Sequence, residues 1–316
     1  MARIFVVGSY NHDLIFRSRA LPRPGETQLG RFASAHGGKG FNQAVAAGRL
    51  GVSTTFIGAV GKDKYGAAAR TFAEEEGIDF QVESAGTSTG LACVITDPGG
   101  QNQIVVAPGA NLALSDGHTD RCLAGIGDDD ICLAQLECNP GTVAHALQTA
   151  RLASAVTVLN PAPMHPKLSR ELLQLADVIT PNESEFQYLM ETCFQELLPP
   201  DWATESVQRV HTWCRQTGIS TVVITLGERG CFVSHGNGNA FTGEESFSML
   251  PVVPAEAVDS TGAGDCFNGA LCAGICLYGK DFDQAARLAN QAAGLSVTRH
   301  GAAPSMPYGR ELLGEG

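Results

Sequence analysis

Short runs of consecutive apolar, often β-branched residues recur along the chain, at Ile4–Val7, Thr54–Ile57, Ile131–Ala134, Val156–Leu159, Val178–Thr180 and Val222–Thr225. Unbroken apolarity over so short a run predicts a strand buried on both faces. Between these runs the apolar positions fall at helical spacing, over Asn42–Leu50, Gly66–Glu76, Gly141–Leu152 and Glu185–Glu191. Strand and helix in alternation predict βαβ units, because parallel neighbours need a crossover between them. The expected fold is therefore α/β, a doubly wound, mostly parallel sheet with helices on both faces.

Two stretches break this rhythm. Residues 14–36 carry turn chemistry at Pro22, Pro24 and Gly25 between Leu14–Phe16 and Leu29–Ala35, and leave no room for a long helix. Residues 90–108 read as a β-hairpin, with Leu91–Thr96 and Gln103–Ala107 on either side of Asp97-Pro98-Gly99-Gly100. Both are expected in a small separate sheet, a lid over the carboxyl edge of the main sheet, where ligands gather in doubly wound folds. The whole chain, 1–316, is read as one domain with that lid. Residues 195–204, with Pro199-Pro200, are expected to form a surface loop.

Composition narrows the chemistry. Hydrophobic residues make up 44% of the 316 and charged residues 17%, enough for a large core and too ordered a composition for wholesale disorder. The net charge of −12 repels phosphate backbones, so nucleic-acid binding is not expected. The first apolar run is too short for a signal peptide and no run reaches the roughly 18 residues of a membrane helix, which predicts a cytoplasmic protein. The ten cysteines contain no C-x-x-C pair and the eight histidines no H-E-x-x-H, so reduced thiols are expected rather than disulfides or zinc.

Three segments carry candidate chemistry. Asp259-Ser260-Thr261-Gly262-Ala263-Gly264-Asp265 follows an extended run, Leu250–Val258, and opens an apolar helix through Leu277. Backbone N–H groups at such a turn converge on an anion, with the helix dipole behind them, and Asp265 beside them could take a proton from a hydroxyl nucleophile. Read blandly, it is a tight turn with Asp265 as a helix cap. The segment is neither a dinucleotide G-x-G-x-x-G, since Phe267 stands where the third glycine belongs, nor a Walker A loop. Gly37-Gly38-Lys39-Gly40-Phe41-Asn42-Gln43-Ala44 also enters a helix, and Lys39 and Asn42 offer donors to a polar ligand; a flexible turn with a solvated lysine is the alternative. In Asn11-His12-Asp13 the aspartate could accept two hydroxyls of a polyol, or simply make an Asx-turn.

Taken together, these segments resemble the ribokinase family of ATP-dependent carbohydrate kinases. The likeness runs from Gly8-Ser9-Tyr10-Asn11-His12-Asp13, Pro24-Gly25-Glu26-Thr27 and Gly37–Arg49 through Gly109-Ala110-Asn111, Gln135-Leu136-Glu137, Asn160-Pro161-Ala162-Pro163, Thr180-Pro181-Asn182-Glu183 and Thr225-Leu226-Gly227 to Asp259–Gly269 and Val297–Ser305. The Gly37–Ala44 segment and Gln135-Leu136-Glu137 favour the branch that phosphorylates D-ribose at the 5-hydroxyl. The resemblance implies that Asn11, Asp13, Gly38, Lys39, Asn42 and Glu137 hold the sugar, that Asp265 is the general base, and that Gly262, Ala263 and Gly264 frame an anion hole. It places Asn182, Thr225, Gly227, Gly230, Gly264 and Asn290 along ATP, and Glu185 on the water around Mg²⁺. A potassium ion is implied at Asp259, Thr261, Ser296, Arg299, Gly301 and Ser305, held largely by backbone carbonyls, and a homodimer is implied through the lid.

Departures from the family pattern concern the sugar. Phe41 stands where a small residue is commoner, and Tyr10 and His12 flank Asp13. Such bulk either reshapes the pocket or turns away from it. The stretch Cys193–Thr204 is longer than is usual and is expected on the nucleotide side. Other readings are a kinase of the same family acting on fructose, deoxyribose, a keto-deoxy sugar acid or a nucleoside, and a non-catalytic sensor that keeps the fold. Retention of Asp265 with Gly262 and Gly264 argues against the sensor.

Overall fold

The computed structural model describes residues 2–99 and 101–313. Gly100, in the expected hairpin turn, lies outside the described residues. The chain enters through strand β1 (Ile4–Val7), passes into β2 (Asn11–Ser18) and β3 (Gly30–Gly37), then forms helix α1 (Lys39–Arg49), β4 (Thr54–Gly61), α2 (Lys64–Glu75) and β5 (Asp79–Ala85). Strands β6 (Gly90–Thr96) and β7 (Asn102–Ala107) lead to α3 (Asp116–Leu123), β8 (Ile131–Ala134), α4 (Pro140–Leu152), β9 (Val156–Leu159), α5 (Arg170–Leu173) and β10 (Val178–Ile179). The remainder is α6 (Glu183–Phe194), α7 (Val207–Gln216), β11 (Thr221–Thr225), β12 (Cys231–His235), β13 (Ser246–Leu250), α8 (Ala263–Tyr278), α9 (Phe282–Ser296) and α10 (Gly309–Leu312).

Nine strands form the large sheet in the order β13-β12-β11-β10-β9-β8-β1-β4-β5. It is parallel from β11 through β5 and antiparallel at the β11-β12-β13 end. Alternate residues of β1 serve two cores. Ile4 and Val6 pack with α1, α8 and α9 on one face; Phe5 and Val7 pack with α4, α6 and α7 on the other. This is why the buried strands read as continuously apolar. β1 lies between β4 and β8, so the order of strands reverses beside it, the place where doubly wound folds open a crevice at the carboxyl ends.

The two stretches outside the βαβ rhythm supply the second sheet, of four strands in the order β3-β2-β6-β7. It has the four strands expected, and β2 is longer than expected, beginning at Asn11 rather than Leu14. No helix among the described residues is long and apolar enough to cross a membrane. All ten cysteines are unpaired.

Several expectations are corrected. The run Leu250–Val258 is not a strand: β13 ends at Leu250, and Pro251 and Pro254 lack the N–H groups that would continue the ladder. Residues 195–204 are only partly superficial, since Trp202 is 2% exposed and lies 5.1 Å from the ring of Phe186. Strands β5, β12 and β13 escaped the sequence pattern, being edge strands or their neighbours with mixed polar and apolar positions. Of the two alternatives left for Phe41, the structure shows the one in which it turns away. It is fully buried, with ring centroids 5.2, 5.4 and 5.7 Å from Tyr10, Phe56 and Phe80.

Helices α1 and α8 touch closely. A Cβ on Gly269 would stand 2.3 Å from the carbonyl oxygen of Gln43, so only glycine permits the approach. Phe41→Ala opens a cavity in this packed face and is expected to cost about 3–5 kcal/mol in denaturant unfolding. A variant of unchanged stability but altered sugar affinity would return Phe41 to the pocket.

Candidate active site

Residues just past the carboxyl ends of β1, β8 and β9 bond to the start of α1, and Thr180 after β10 bonds to Asn268 of α8. Asp265 sits in the first turn of α8, which opens at Gly262 with φ 78°, a left-handed conformation glycine adopts without strain. The carboxylate is 6% exposed. Asn42 Nδ2 donates to its Oδ2 at 2.9 Å and Gln43 Nε2 to its Oδ1 at 3.0 Å. Burial raises the Asp265 pKa, opposed by the Lys39 charge and the two amides and reinforced by Glu137. The result is a carboxylate of raised basicity with fixed aim, as a base acting near neutral pH requires. Of the amides expected at the anion hole, Ala263 N–H donates to Ser260 O at 3.2 Å, and nothing crowds Gly264, which leaves open space at the head of the helix dipole.

The amides are themselves braced. Gln135 Nε2 donates to Gln43 Oε1 at 2.6 Å, Gln43 Nε2 also reaches Asn160 Oδ1 at 3.2 Å, and Asn160 Nδ2 donates to Thr180 O at 3.1 Å. The Thr180 hydroxyl donates to Asn268 Oδ1, and Asn268 Nδ2 returns to Gly264 O at 2.8 Å. Among the described residues Asn42 Oδ1 is buried with no partner. An unpaired buried acceptor is costly unless a ligand hydroxyl satisfies it.

Opposite Asp265, Glu137 Oε2 accepts from Ser9 Oγ at 2.6 Å, from Lys39 N at 3.0 Å and from Asn11 Nδ2 at 3.4 Å. Gly38, at φ 90°, lets α1 start against β2, where a Cβ would stand 2.6 Å from Asn11 N. Asp13 lies over Gly37, whose Cβ position is 2.4 Å from Asp13 Oδ2. Its carboxyl is pushed up to about 7 by burial, then by the charges of Glu137 and Asp265. Lys39 is raised by Asp265 first, against burial, and further by Glu137 and Glu185. One lysine thus stands among carboxylates from three elements, and pairwise contacts bring the six expected sugar-binding residues toward one place.

On the nucleotide side Asn182 caps α6. Its side chain accepts from Glu185 N at 2.9 Å while Glu185 Oε2 accepts from Asn182 N at 2.9 Å. Burial raises the Glu185 pKa, against the bond from Asn182 and the Lys39 charge. Thr225 N donates to Pro181 O at 3.0 Å, which joins this cap to β11. Gly227 is uncrowded, whereas Gly230 packs on Leu250. Asn290 is placed differently from its expected neighbours: it is buried, and its Nδ2 donates to Leu250 O at 2.9 Å and lies 3.5 Å from Cys231 Sγ. It braces the wall behind Gly230.

The third cluster joins three segments. Asp259 Oδ1 accepts from Thr261 N and Oδ2 from Gly301 N, each at 3.0 Å. Burial raises the Asp259 pKa and these bonds outweigh it, so the carboxyl lies below its ordinary range. Ser296 and Ser305 turn their hydroxyls onto Ala293 O and Ala302 O, each at 2.8 Å, and Arg299 pairs with Glu311. The side chains of these three are therefore committed, and the Ser296 carbonyl already accepts from Arg299 N at 3.1 Å.

A model of pfkB family carbohydrate kinases matches residues 1–308. The chain belongs to this family. It is 38% identical over 311 residues to the ribokinase of Haemophilus influenzae, covering 98% of this chain and 96% of that one. The ribokinase structure from Thermotoga maritima superposes with TM-score 0.86 at 30% identity, covering 99% and 98% of the two chains. The Arabidopsis thaliana ribokinase structure, complexed with ribose and ATP, superposes with TM-score 0.81 at 29% identity, covering 99% and 98%. The protein is an ATP-dependent sugar kinase of mixed α/β fold.

Several residues of this carbohydrate kinase site were missed in the sequence. Gln43, Gln135, Asn160 and Asn268 hold the base or its amides; all four lie in the segments that carry the family resemblance, but no role was assigned to them there. Asn111 is another: buried on the 3₁₀ turn after β7, it accepts from Tyr10 N at 2.9 Å and donates to Tyr10 O at 3.0 Å and Asn11 Oδ1 at 2.9 Å. That bond turns the Asn11 amide so that its Nδ2 faces Glu137.

The folded pKa of Asp13, about 7, exceeds the roughly 3.9 of an unfolded aspartate. Between those values the folded chain holds a proton that the unfolded chain lacks, so this group's contribution to stability falls as pH rises through the window. Asp13→Asn is accordingly expected to raise the melting temperature at pH 8 and leave it unchanged near pH 4. Equal melting temperatures at pH 8 would contradict the buried, charge-crowded setting of Asp13.

Proposed function

We propose that the protein transfers the γ-phosphoryl group of ATP to the 5-hydroxyl of D-ribose, giving D-ribose 5-phosphate and ADP. The observation that carries this reading is the buried Asp265 carboxylate, aimed by Asn42 and Gln43 across a hollow that holds two further carboxylates, a lysine and two amides. A hollow so dense in donors and acceptors suits a small ligand with hydroxyls on adjacent carbons and leaves little apolar wall for a base.

Asn11, Asp13, Gly38, Lys39, Asn42 and Glu137 bind the sugar hydroxyls, with Asn42 Oδ1 accepting one of them. Asp265 takes the proton of the 5-hydroxyl as that oxygen bonds to phosphorus, and the bond from phosphorus to the ADP oxygen breaks. Charge on the transferring group is met by the Gly264 amide, the α8 dipole and Lys39. Asn182, Thr225 and Gly227 lie along the nucleotide, and Asn290 supports the wall beside it.

Magnesium suits this donor set, because it is commonly held through substrate phosphates and water with few protein carboxylates. Among the described residues no three metal-ligating side chains cluster, and Glu185 stands near Lys39 with one carboxylate oxygen clear of the Asn182 bond. When bound with ATP, the ion supplies neutralisation of the β- and γ-oxygens. For potassium the support is that Asp259 ties Thr261 and Gly301 together through their N–H groups, which gathers the segments whose backbone carbonyls would hold the ion.

The smaller sheet acts as a lid, and the chain works as one kinase unit in the cytoplasm, where ATP is abundant and thiols stay reduced. A homodimer through the lid is favoured by the exposed Phe16 and Phe32, which pair at 5.3 Å, and by Ile104 and Val105, since such apolar area marks an interface.

The test is coupled ADP release across an acceptor panel. D-ribose is expected to give the highest kcat/KM, with 2-deoxyribose clearly lower and adenosine lower still. Fructose or adenosine at ten times the ribose value would overturn the sugar assignment and leave only the kinase class. Chelating magnesium should abolish turnover. Equal rates in sodium and potassium buffers would remove the monovalent-ion site.

A further inference from the structure

A buried cluster stands behind the sugar hollow, on the opposite face of the lid's root. In β2, Asn11 and Asp13 face the hollow, so His12 between them faces away. The antiparallel register pairs His12 with His36 of β3, which puts both imidazoles on that same far face. The Tyr10 hydroxyl enters between them, 2.8 Å from His36 Nδ1 and 3.4 Å from His12 Nδ1. Each imidazole is then clamped by α2: His36 stacks on Phe72 at 4.2 Å with planes 2° apart, and His12 lies 4.7 Å from the ring of Tyr65. The Tyr10 ring meets Phe41 of α1 edge-on, and its backbone is bracketed by Asn111.

We propose that Tyr10, His12 and His36 form a latch that sets the angle of the lid over the sugar, making Tyr10 and His36 positioning residues for Asn11 and Asp13. This rests on the reading of Asn11 and Asp13 as sugar-binding residues. The Tyr10 hydroxyl ties strands β2 and β3 of the lid to a loop of the main body. The sugar residues lie one position to either side of the latch, so a slip there moves Asn11 and Asp13 relative to Gly38 and Asn42, which ride on α1. Burial, and the neighbouring His12, hold the His36 pKa near 4, and burial lowers His12 alongside Lys64, so both rings stay neutral at working pH. A neutral His36 Nδ1 accepts the hydroxyl proton of Tyr10, while its oxygen remains free to accept from His12. The remaining charges near the cluster are Asp63 and Lys64 at the head of α2 and Asp13 in β2 itself; Asp63 is spent on Tyr65 N, Gly66 N and Thr89.

Tyr10→Phe removes only the hydroxyl and keeps the ring packed. It is expected to raise the acceptor-sugar KM about three- to tenfold, the range set by one buried hydrogen bond, with the KM for ATP and kcat changed less than twofold. His36→Leu should do the same, and the double variant should be no worse than either single change, because both remove one interaction. His36→Gln, which keeps an acceptor, should recover part of the affinity. Hydrogen exchange of the sugar-free protein supplies a second readout: Tyr10→Phe should speed exchange in β2 and β3 while β1, β4 and β8 keep wild-type rates. That readout needs no sugar, so if another acceptor proves better in the panel, exchange still tests the latch and KM is taken for that acceptor. A Tyr10→Phe protein with unchanged exchange in β2 and β3, or with lower stability but unchanged sugar KM, overturns the proposal.

Discussion

The close contact of α1 and α8 governs the site. It places the Asp265 carboxylate, buried at the head of α8, against the adjacent amides of Asn42 and Gln43 on α1. A buried carboxylate without partners would take up a proton and lose its function as a base. Two amide donors and the charge of Lys39 counter that tendency, while burial keeps the group basic. Both requirements depend on helix separation, and Gly269, facing the Gln43 carbonyl, holds that separation at its minimum.

From this contact the polar network runs outward along the carboxyl ends of the strands. Gln135 after β8, Asn160 after β9 and Thr180 after β10 each hold the next side chain, and Asn268 returns the chain of bonds to the backbone of Gly264. Such a network rigidifies when its members are satisfied and destabilises when they are not. Among the described residues two network oxygens, Gln135 Oε1 and Asn42 Oδ1, stay buried and unpaired. Asn42 spends its amide nitrogen on Asp265, so under the proposed function the residue that aims the base also has an acceptor left for the substrate. The reading of a small polyol as substrate and the reading of Asp265 as base therefore share one side chain.

Much of this was legible in the sequence because it has local causes. Buried parallel strands are continuously apolar, so Ile4–Val7, Ile131–Ala134 and Val156–Leu159 matched their observed bounds. Gly38, Gly262 and Asp265 stand at turns into helices, where residue type and spacing carry the chemistry. The remainder depends on distant neighbours. Gln43 and Asp265 are 222 positions apart, and nothing local to either foretells their bond. Asn290 has the right neighbours in sequence, yet its amide goes to the wall behind Gly230 rather than the opening. Phe41 falls within a ligand-binding segment, but helix periodicity turns its ring to the core. The extended run Leu250–Val258 leaves the ladder after Leu250, because Pro251 and Pro254 have no N–H to give it.

The account turns on Asp265 acting in the transition state while taking little part in ground-state sugar binding. The direct measurement is kcat for Asp265→Asn, with sugar affinity determined separately by calorimetry. A positioned general base contributes about 10²–10⁴-fold, so kcat should fall by at least about two orders of magnitude while the sugar Kd changes little. A variant that keeps more than half of the wild-type kcat would contradict the account.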